Sequence, residues 1–428
     1  MHRSILLLAL SLLTISCDNN DGSENEPILF GCDVAQQNMY VHNLLKDVYL
    51  WYREVPDDID YKAFSSPEQL LDFLRYDPFD RFSTITDAQQ FNDLLIEGRD
   101  IGYGLSFLTD SGRLRFVYRD SSAGRAGLQR GDQLLTLNGE DLADIALAND
   151  WDRVLGPDVE GTTLDIVVRR PDGSTFGTTL TKGTININTV LHSGIIAGQA
   201  TPTGYLVFNS FLATSVEELE SAFATFHAEG VRRLILDLRY NRGGSVLVAS
   251  LLASYLNRVD NDNQLFTRLT YNDKHPELNQ AYYLGRVQNA LSLDQIIVIT
   301  TGETCSASEM IISGLEPYAA EVLSVGSTTC GKPVGMSGRE FCGKLILPVM
   351  FESRNRRGEG EYYNGIAADC GANDSPTLDF GNSGESMLSE ALFLANNGQC
   401  SASGRAARSV AVPTTSAIDS PRAILGAY

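Results

Sequence analysis

The segment Thr304-Cys305-Ser306-Ala307-Ser308-Glu309-Met310 follows a short β-branched run, Ile296 to Ile299, and opens a helical pattern that continues to Leu315. A serine at a helix N-terminus has unpaired backbone N–H groups and the positive end of the helix dipole beside it. That setting suits a nucleophile whose substrate oxygen becomes negative in the transition state. The pattern Ser306-x-x-Glu309 is equally that of a helix capping box, which needs no chemistry. Gly331-Lys332-Pro333-Val334-Gly335 stands in a loop after the next strand. A lysine becomes a general base once burial lowers its pKa toward neutrality; on an open surface it is only a charge. A third segment, Asp237-Leu238-Arg239-Tyr240-Asn241-Arg242-Gly243-Gly244-Ser245, follows another apolar strand. Paired glycines let the backbone approach a ligand closely, so an N–H of Gly243 or Gly244, with that of Ala307, would make an oxyanion hole. Asp237 and Arg239 read better as a structural pair. The chemistry within reach is attack on a carbonyl by Ser306, with Lys332 as base. No spacing of Cys or His suggests a metal site, and no cofactor motif occurs.

The elements that must position these residues begin at Ile185. Short apolar strands (Tyr205 to Phe208, Leu234 to Leu238, Ile296 to Ile299, Val322 to Val325) alternate with helical stretches (Val216 to Ala228, Val246 to Leu256, Ser306 to Leu315). That alternation predicts βαβ units on a largely parallel sheet. In such a sheet, loops after adjacent strands meet at its carboxyl edge, where sites form. Upstream, residues 98–183 read as a small β-rich unit and residues 32–97 as an N-terminal helical cap. The core extends to residue 400. Residues 401–428, small and unpatterned, are expected to be a poorly ordered tail.

The β-rich unit opens with Gly102-Tyr103-Gly104-Leu105-Ser106-Phe107 and continues through Ala126-Gly127-Leu128, Gly131-Asp132-Gln133-Leu134-Leu135 and Asn138-Gly139. This resembles a PDZ domain. The resemblance implies that Gly102, Tyr103, Gly104, Leu105 and Phe107 bind a peptide carboxylate and pair with its backbone. The bland alternative is a domain that only props up its neighbour. Together the four segments resemble the carboxyl-terminal processing peptidases, or tail-specific proteases, over about residues 38–370. Ser-Ala-Ser-Glu at Ser306, Gly331-Lys332, the Asp237-Leu238-Arg239 to Gly243-Gly244 run, and Gly365-Ile366-Ala367-Ala368-Asp369 carry it. The resemblance implies a multidomain α/β protein: a crotonase-like ββα core, a PDZ-like domain and a helical cap. It also implies a serine peptidase with Ser306 as nucleophile and Lys332 as general base, acting on polypeptides through their C-termini.

Two positions depart from the family pattern. Many members carry Gln four residues after the Lys; here Met336 stands there, a weak hydrogen-bond partner. Arg242 replaces a third glycine. Both leave open a catalytically inactive, peptide-binding protein on the same fold. A His-assisted hydrolase would need His192 or His227, neither in a recognisable motif, and a crotonase-type acyl-thioester enzyme would not explain the PDZ-like unit.

The compartment is read from the N-terminus and the charge. Arg3, the apolar run Ile5 to Leu13 and Leu13-Thr14-Ile15-Ser16-Cys17 resemble a bacterial lipoprotein leader over residues 1–16. The resemblance implies lipid attachment at Cys17, a polar tether over 17–31, and a place in the bacterial cell envelope, held to the membrane by lipid alone. A net charge of -21 argues against a nucleic-acid partner. The six remaining cysteines are compatible with disulfides in an exported protein. Cys330 and Cys342, flanking a glycine-containing stretch, are the expected pair.

Overall fold

The structure, a computed structural model, describes residues 31–257, 262–318 and 320–407. The expected leader, Cys17 and residues 408–428 lie outside the described residues. Helix α1 (Val34–Val48) starts where the Asp33 side chain accepts from the Gln36 N–H, and α2 (Pro67–Leu74) starts from Ser66 with proline in its first turn. Both placements satisfy N–H groups that a helix start leaves unpaired. Val41 and Leu45 of α1 and Leu70, Leu71 and Leu74 of α2 form one apolar cluster with Val334, Ile346 and Val349 from far along the chain. Strand β1 (Thr84–Asp87) then pairs antiparallel with residues 344–347, and α3 (Ala88–Leu95) follows it. The segment expected as a separate helical cap is therefore built partly from the core's own residues.

In the β-rich unit, β2 (Leu105–Phe107) pairs antiparallel with β3 (Leu114–Val117). Strands β4 (Gln133–Leu137), β5 (Glu140–Asp141), β6 (Thr163–Arg169) and β7 (Thr175–Thr181) form an antiparallel sheet in the order β5-β4-β6-β7. Alternation of burial along β6 puts Leu164, Ile166 and Val168 inside. Asn138 and Gly139, both at positive φ, make the tight turn between β4 and β5.

The core is a six-stranded sheet in the order β8-β9-β10-β11-β12-β14. Its strands are β8 (Val190–Ile195), β9 (Thr203–Phe208), β10 (Arg233–Asp237), β11 (Gln295–Thr300), β12 (Glu321–Gly326) and β14 (Cys370–Gly371); β13 (Lys344–Leu347) lies outside it as the partner of β1. All neighbours in the sheet are parallel except β8 against β9. One face, with Leu206, Leu236 and Val298, packs under α4 (Ser215–Ala228), α5 (Val246–Leu256) and α6 (Ala307–Leu315). The other, with Val207, Ile235 and Ile297, packs on α7 (Ser386–Asn397). Burial on both faces is why the strands read as unbroken apolar runs. The mixed α/β class and the parallel series are as expected.

Two expectations change. The disulfides are Cys32–Cys342, Cys305–Cys330 and Cys370–Cys400, so Cys330 and Cys342 are not partners. Sequence proximity misled, because Cys342 turns toward the start of α1 while Cys330 faces the start of α6. Residues 402–407, expected in the tail, form a helix, anchored by Ser401, whose N–H and hydroxyl both donate to Glu390.

Behind the sheet's carboxyl edge, Arg239 is wholly buried. It donates to Asp237, Glu385 and Asp374. The expected Asp237–Arg239 pair is thus part of a larger network. Removing one partner of a buried ionic set leaves the others uncompensated. Arg239→Ala is expected to destabilise the protein by about 3–5 kcal/mol, read as a lower urea midpoint with unchanged slope.

Candidate active site

Three loops meet at the carboxyl ends of β10, β11 and β12. After β11, the Thr304 hydroxyl donates to Leu238 O at 2.8 Å, and the Cys305 N–H to Asn241 O at 3.1 Å. The Ser308 hydroxyl also reaches Asn241 O, at 2.9 Å. These bonds lay the Ser306 turn across the loop after β10. Ser306 sits at the start of α6 with φ 54° and ψ -115°. That conformation is costly for a residue with a Cβ, and such strain persists where surrounding contacts over-determine it. After β12, the Cys330 N–H donates to Thr304 O at 3.0 Å, which brings the Lys332 loop alongside.

Glu309 joins the two loops. It is fully buried, and its carboxylate accepts four hydrogen bonds: from the Ser306 N–H at 2.9 Å, the Thr329 hydroxyl at 2.5 Å, and the N–H groups of Gly331 and Lys332, each at 2.8 Å. Burial pushes the carboxyl pKa up against the downward pull of these donors. The Glu309-to-Ser306 half of the capping box is therefore real, and it is only a quarter of what Glu309 does. The Gly365–Asp369 segment backs this arrangement, since the Ile366 N–H donates to the Thr329 hydroxyl at 2.7 Å.

Ser306 and Lys332 line one cavity of about 270 Å³, with Gly244, Met310, Met336 and Phe351 among its walls. Lys332 is 6% exposed, so it is not a surface lysine. Its Nζ lies 3.9 Å from Met336 Sδ and 5.0 Å from the centre of the Phe82 ring. Burial lowers its pKa to about 8, against the opposing pull of Asp80 and Glu309. Such an amine is neutral in roughly a tenth to a fifth of molecules between about pH 7 and 7.4, whereas an ordinary lysine is neutral in fewer than about one in a thousand.

The expected oxyanion donors divide. A Cβ on Gly243 would come within 2.8 Å of Ser306 Cβ and 3.0 Å of Ala307 N, so only glycine fits there. The Gly243 N–H, however, donates to Asn241 Oδ1 at 2.9 Å. Gly244 lines the cavity with Ser306, and Ala307 opens α6. Arg242 also lines the cavity and pairs with Glu303 at 3.4 Å. Glu303 in turn takes a two-pronged contact from Arg115 of β3, linking the β-rich unit to the loop that carries Ser306.

Gly102, Tyr103, Gly104, Leu105 and Phe107 all line a larger cavity of about 760 Å³ between that unit and its neighbours. Gly104 has φ 86°, and a Cβ there would collide with Ser121. Neither His192 nor His227 lines the cavity around Ser306; His192 packs beside Tyr205, and His227 lies 3.3 Å from Ala290 O. Three contributors escaped the sequence reading. Glu309 was visible only as a cap, and Thr329 and Asp80 carried no signal at all.

The description "Peptidase family S41" fits residues 202–370, and "Peptidase S41 N-terminal domain" fits residues 36–84. A solved structure of a candidate S41 protease from Bacteroides fragilis is 26% identical and superposes with a TM-score of 0.69, covering 84% of this chain and 97% of that one. A candidate CtpA-like serine protease of Staphylococcus saprophyticus is 26% identical over 70% of this chain and 57% of its own length. Carboxyl-terminal-processing peptidase 3 of Arabidopsis thaliana chloroplasts is 26% identical over 75% of this chain and 66% of its own. The chain spans a little over half the length of several such relatives.

The lysine has a consequence for stability. Its folded pKa, about 8, lies below its ordinary 10.5, so between those values the unfolded chain binds the extra proton. Stability should therefore rise with pH across that window. Lys332→Met, which keeps the bulk and removes the amine, is expected to flatten that rise in urea midpoints measured from pH 7 to 10.5 and to raise the midpoint at pH 7.

Proposed function

We propose, since the chain belongs to peptidase family S41, that it is a serine endopeptidase working through a Ser306–Lys332 dyad. The observation that carries this is the shared cavity. It holds a serine at a helix start and a buried lysine whose amine is shifted toward neutrality, on loops joined by one carboxylate. Neutral Lys332 Nζ takes the proton from Ser306 Oγ as the oxygen bonds to the substrate's carbonyl carbon. The N–H groups of Gly244 and Ala307 and the α6 dipole face the developing oxyanion, while Gly243 shapes the loop. Lys332 then hands its proton to the leaving amine, and water activated by the same amine releases the acyl group from Ser306. Residues 98–183 act as a PDZ-like module on a crotonase-like core. Gly102 to Leu105 and Phe107 hold a polypeptide's C-terminal end, and β2 offers an edge: among the described residues it pairs with β3 alone.

The protein is exported to the bacterial cell envelope and held there by lipid on Cys17. Three disulfides among the described residues support an oxidising compartment. No helix among the described residues is long and apolar enough to cross a membrane.

The competing reading, a peptide-binding protein without activity, is favoured by Met336, which offers Lys332 a thioether in place of a strong acceptor, and by Arg242, which stands in the cavity wall in place of a glycine. Ser306→Ala and Lys332→Ala should each abolish cleavage of an unfolded protein substrate. The unsubstituted protein's turnover should rise with pH around a midpoint near 8. Equal proteolysis in both variants and the parent would remove the dyad; none in the parent would select the inactive reading.

A further inference from the structure

We infer that the Cys305–Cys330 disulfide is a positioning element of the dyad, and that turnover depends on its oxidation state; the inference rests on the peptidase reading above. Cys305 directly precedes Ser306, and Cys330 lies two residues before Lys332. One covalent bond thus ties the nucleophile's turn to the base's loop. It runs beside the Glu309 bridge, with Cys330 Sγ 3.6 Å from Glu309 Oε2. The two links differ in kind. Glu309 gathers N–H groups from both loops through hydrogen bonds, whose lengths can vary. The disulfide sets a fixed limit on the separation of the loops.

The strain at Ser306 gives the limit its importance. A non-glycine residue at φ 54° relaxes unless it is held from both sides. On its C-terminal side is α6, bonded through Glu309. On its N-terminal side, Cys305 is bonded through its N–H to Asn241 O and through its carbonyl to the Ser308 N–H, and Thr304 is bonded to Leu238 O. The disulfide and the Cys330 N–H bond to Thr304 O fix this side to the Lys332 loop. Opening the disulfide leaves the Cys330 N–H bond to Thr304 O as the one direct backbone link between that side and the Lys332 loop among the described residues. The Ser306 turn and the Lys332 loop are then free to part, which misaligns Ser306 Oγ and admits water to the Lys332 amine, while the other cavity walls that bind substrate remain, so the loss falls on kcat and spares KM.

The bond is open to exchange. Cys305 is 6% exposed, and Cys330 is half-buried, which leaves Cys330 Sγ as the point of attack. A dithiol reductant supplies two electrons and two protons. Its first thiolate bonds to Cys330 Sγ and expels Cys305 as a thiolate, which is protonated. Its second thiolate then displaces Cys330 and closes a cyclic disulfide.

The test compares the parent, C305S/C330S, and the control pairs C32S/C342S and C370S/C400S, in the full chain. For C305S/C330S, kcat is expected to fall by about tenfold to hundredfold with KM within about twofold. Dithiothreitol should reproduce the fall in the parent and in both control pairs, reversibly on reoxidation, and should change C305S/C330S no further. A second readout does not need turnover: the Lys332 Nζ titration followed by NMR should move from about 8 toward 10.5 when the bond is opened. A kcat for C305S/C330S within about twofold of the parent, with the Lys332 titration unmoved, overturns the inference. If the parent cleaves nothing, the peptidase reading fails on its own, and the titration alone decides whether the disulfide positions the lysine. If C305S/C330S does not fold, dithiothreitol treatment of the intact protein gives the same comparison.

Discussion

A carboxylate with no access to water holds this site together. Burying an ionised carboxyl costs several kcal/mol unless its lone pairs are matched by donors. Glu309 finds four, drawn from the Ser306 turn, Thr329 and the Gly331–Lys332 loop. The penalty makes the arrangement close to all-or-none, because a loop that moved away would strand the charge. Geometry that a single neutral hydrogen bond would hold weakly is thereby held firmly, and the strained backbone at Ser306 is one of its dependants. Gly243 and Gly331 serve the same end from the other direction. A Cβ on Gly331 would lie 2.3 Å from Tyr363 O, and one on Gly243 would press into Ser306.

The cavity combines opposite electrostatic environments. Around Lys332 Nζ the near neighbours are a thioether and an aromatic face, both poor at stabilising a full positive charge compared with water. Around Arg242, by contrast, Glu303 supplies a carboxylate that is also held by Arg115. Arginine stays charged wherever it is placed, whereas lysine yields its proton when desolvated. Arg242, standing where the family pattern has a small residue, therefore brings a permanent cation to the same cavity as a titratable one. The Glu303 partnership keeps that cation anchored toward the β-rich unit.

Much of the fold was legible because it follows local rules. Parallel strands buried on both faces, such as Tyr205 to Phe208, announce themselves as apolar runs, and the Asn138-Gly139 turn has a distinctive composition. Ser306 and Lys332 were legible as candidates because loops after neighbouring parallel strands must meet. What stayed hidden depends on distant residues that share no sequence pattern. Thr329 contributes a hydroxyl, the commonest polar group, and its role is set by where β12 ends. Asp80 reaches the lysine from the N-terminal segment, whose strand β1 joins residues 344–347 by backbone bonds that no side chain advertises. Disulfide pairing failed for the same reason: nearness along the chain says little about nearness in space once a hairpin points a cysteine elsewhere.

The Cys32–Cys342 bond joins residues 310 positions apart and closes the chain between them into a single covalent ring. Both cysteines are exposed, at the outer margin of the molecule. A ring of that size cannot close until nearly all of the chain it contains has been made and folded back to bring its two ends together, so closure marks a late stage of assembly. Once closed, it changes what a single backbone cut means. A nick in any loop between residues 32 and 342 opens the ring but releases no fragment. A molecule working among proteolytic enzymes would thus remain in one piece after its first injury.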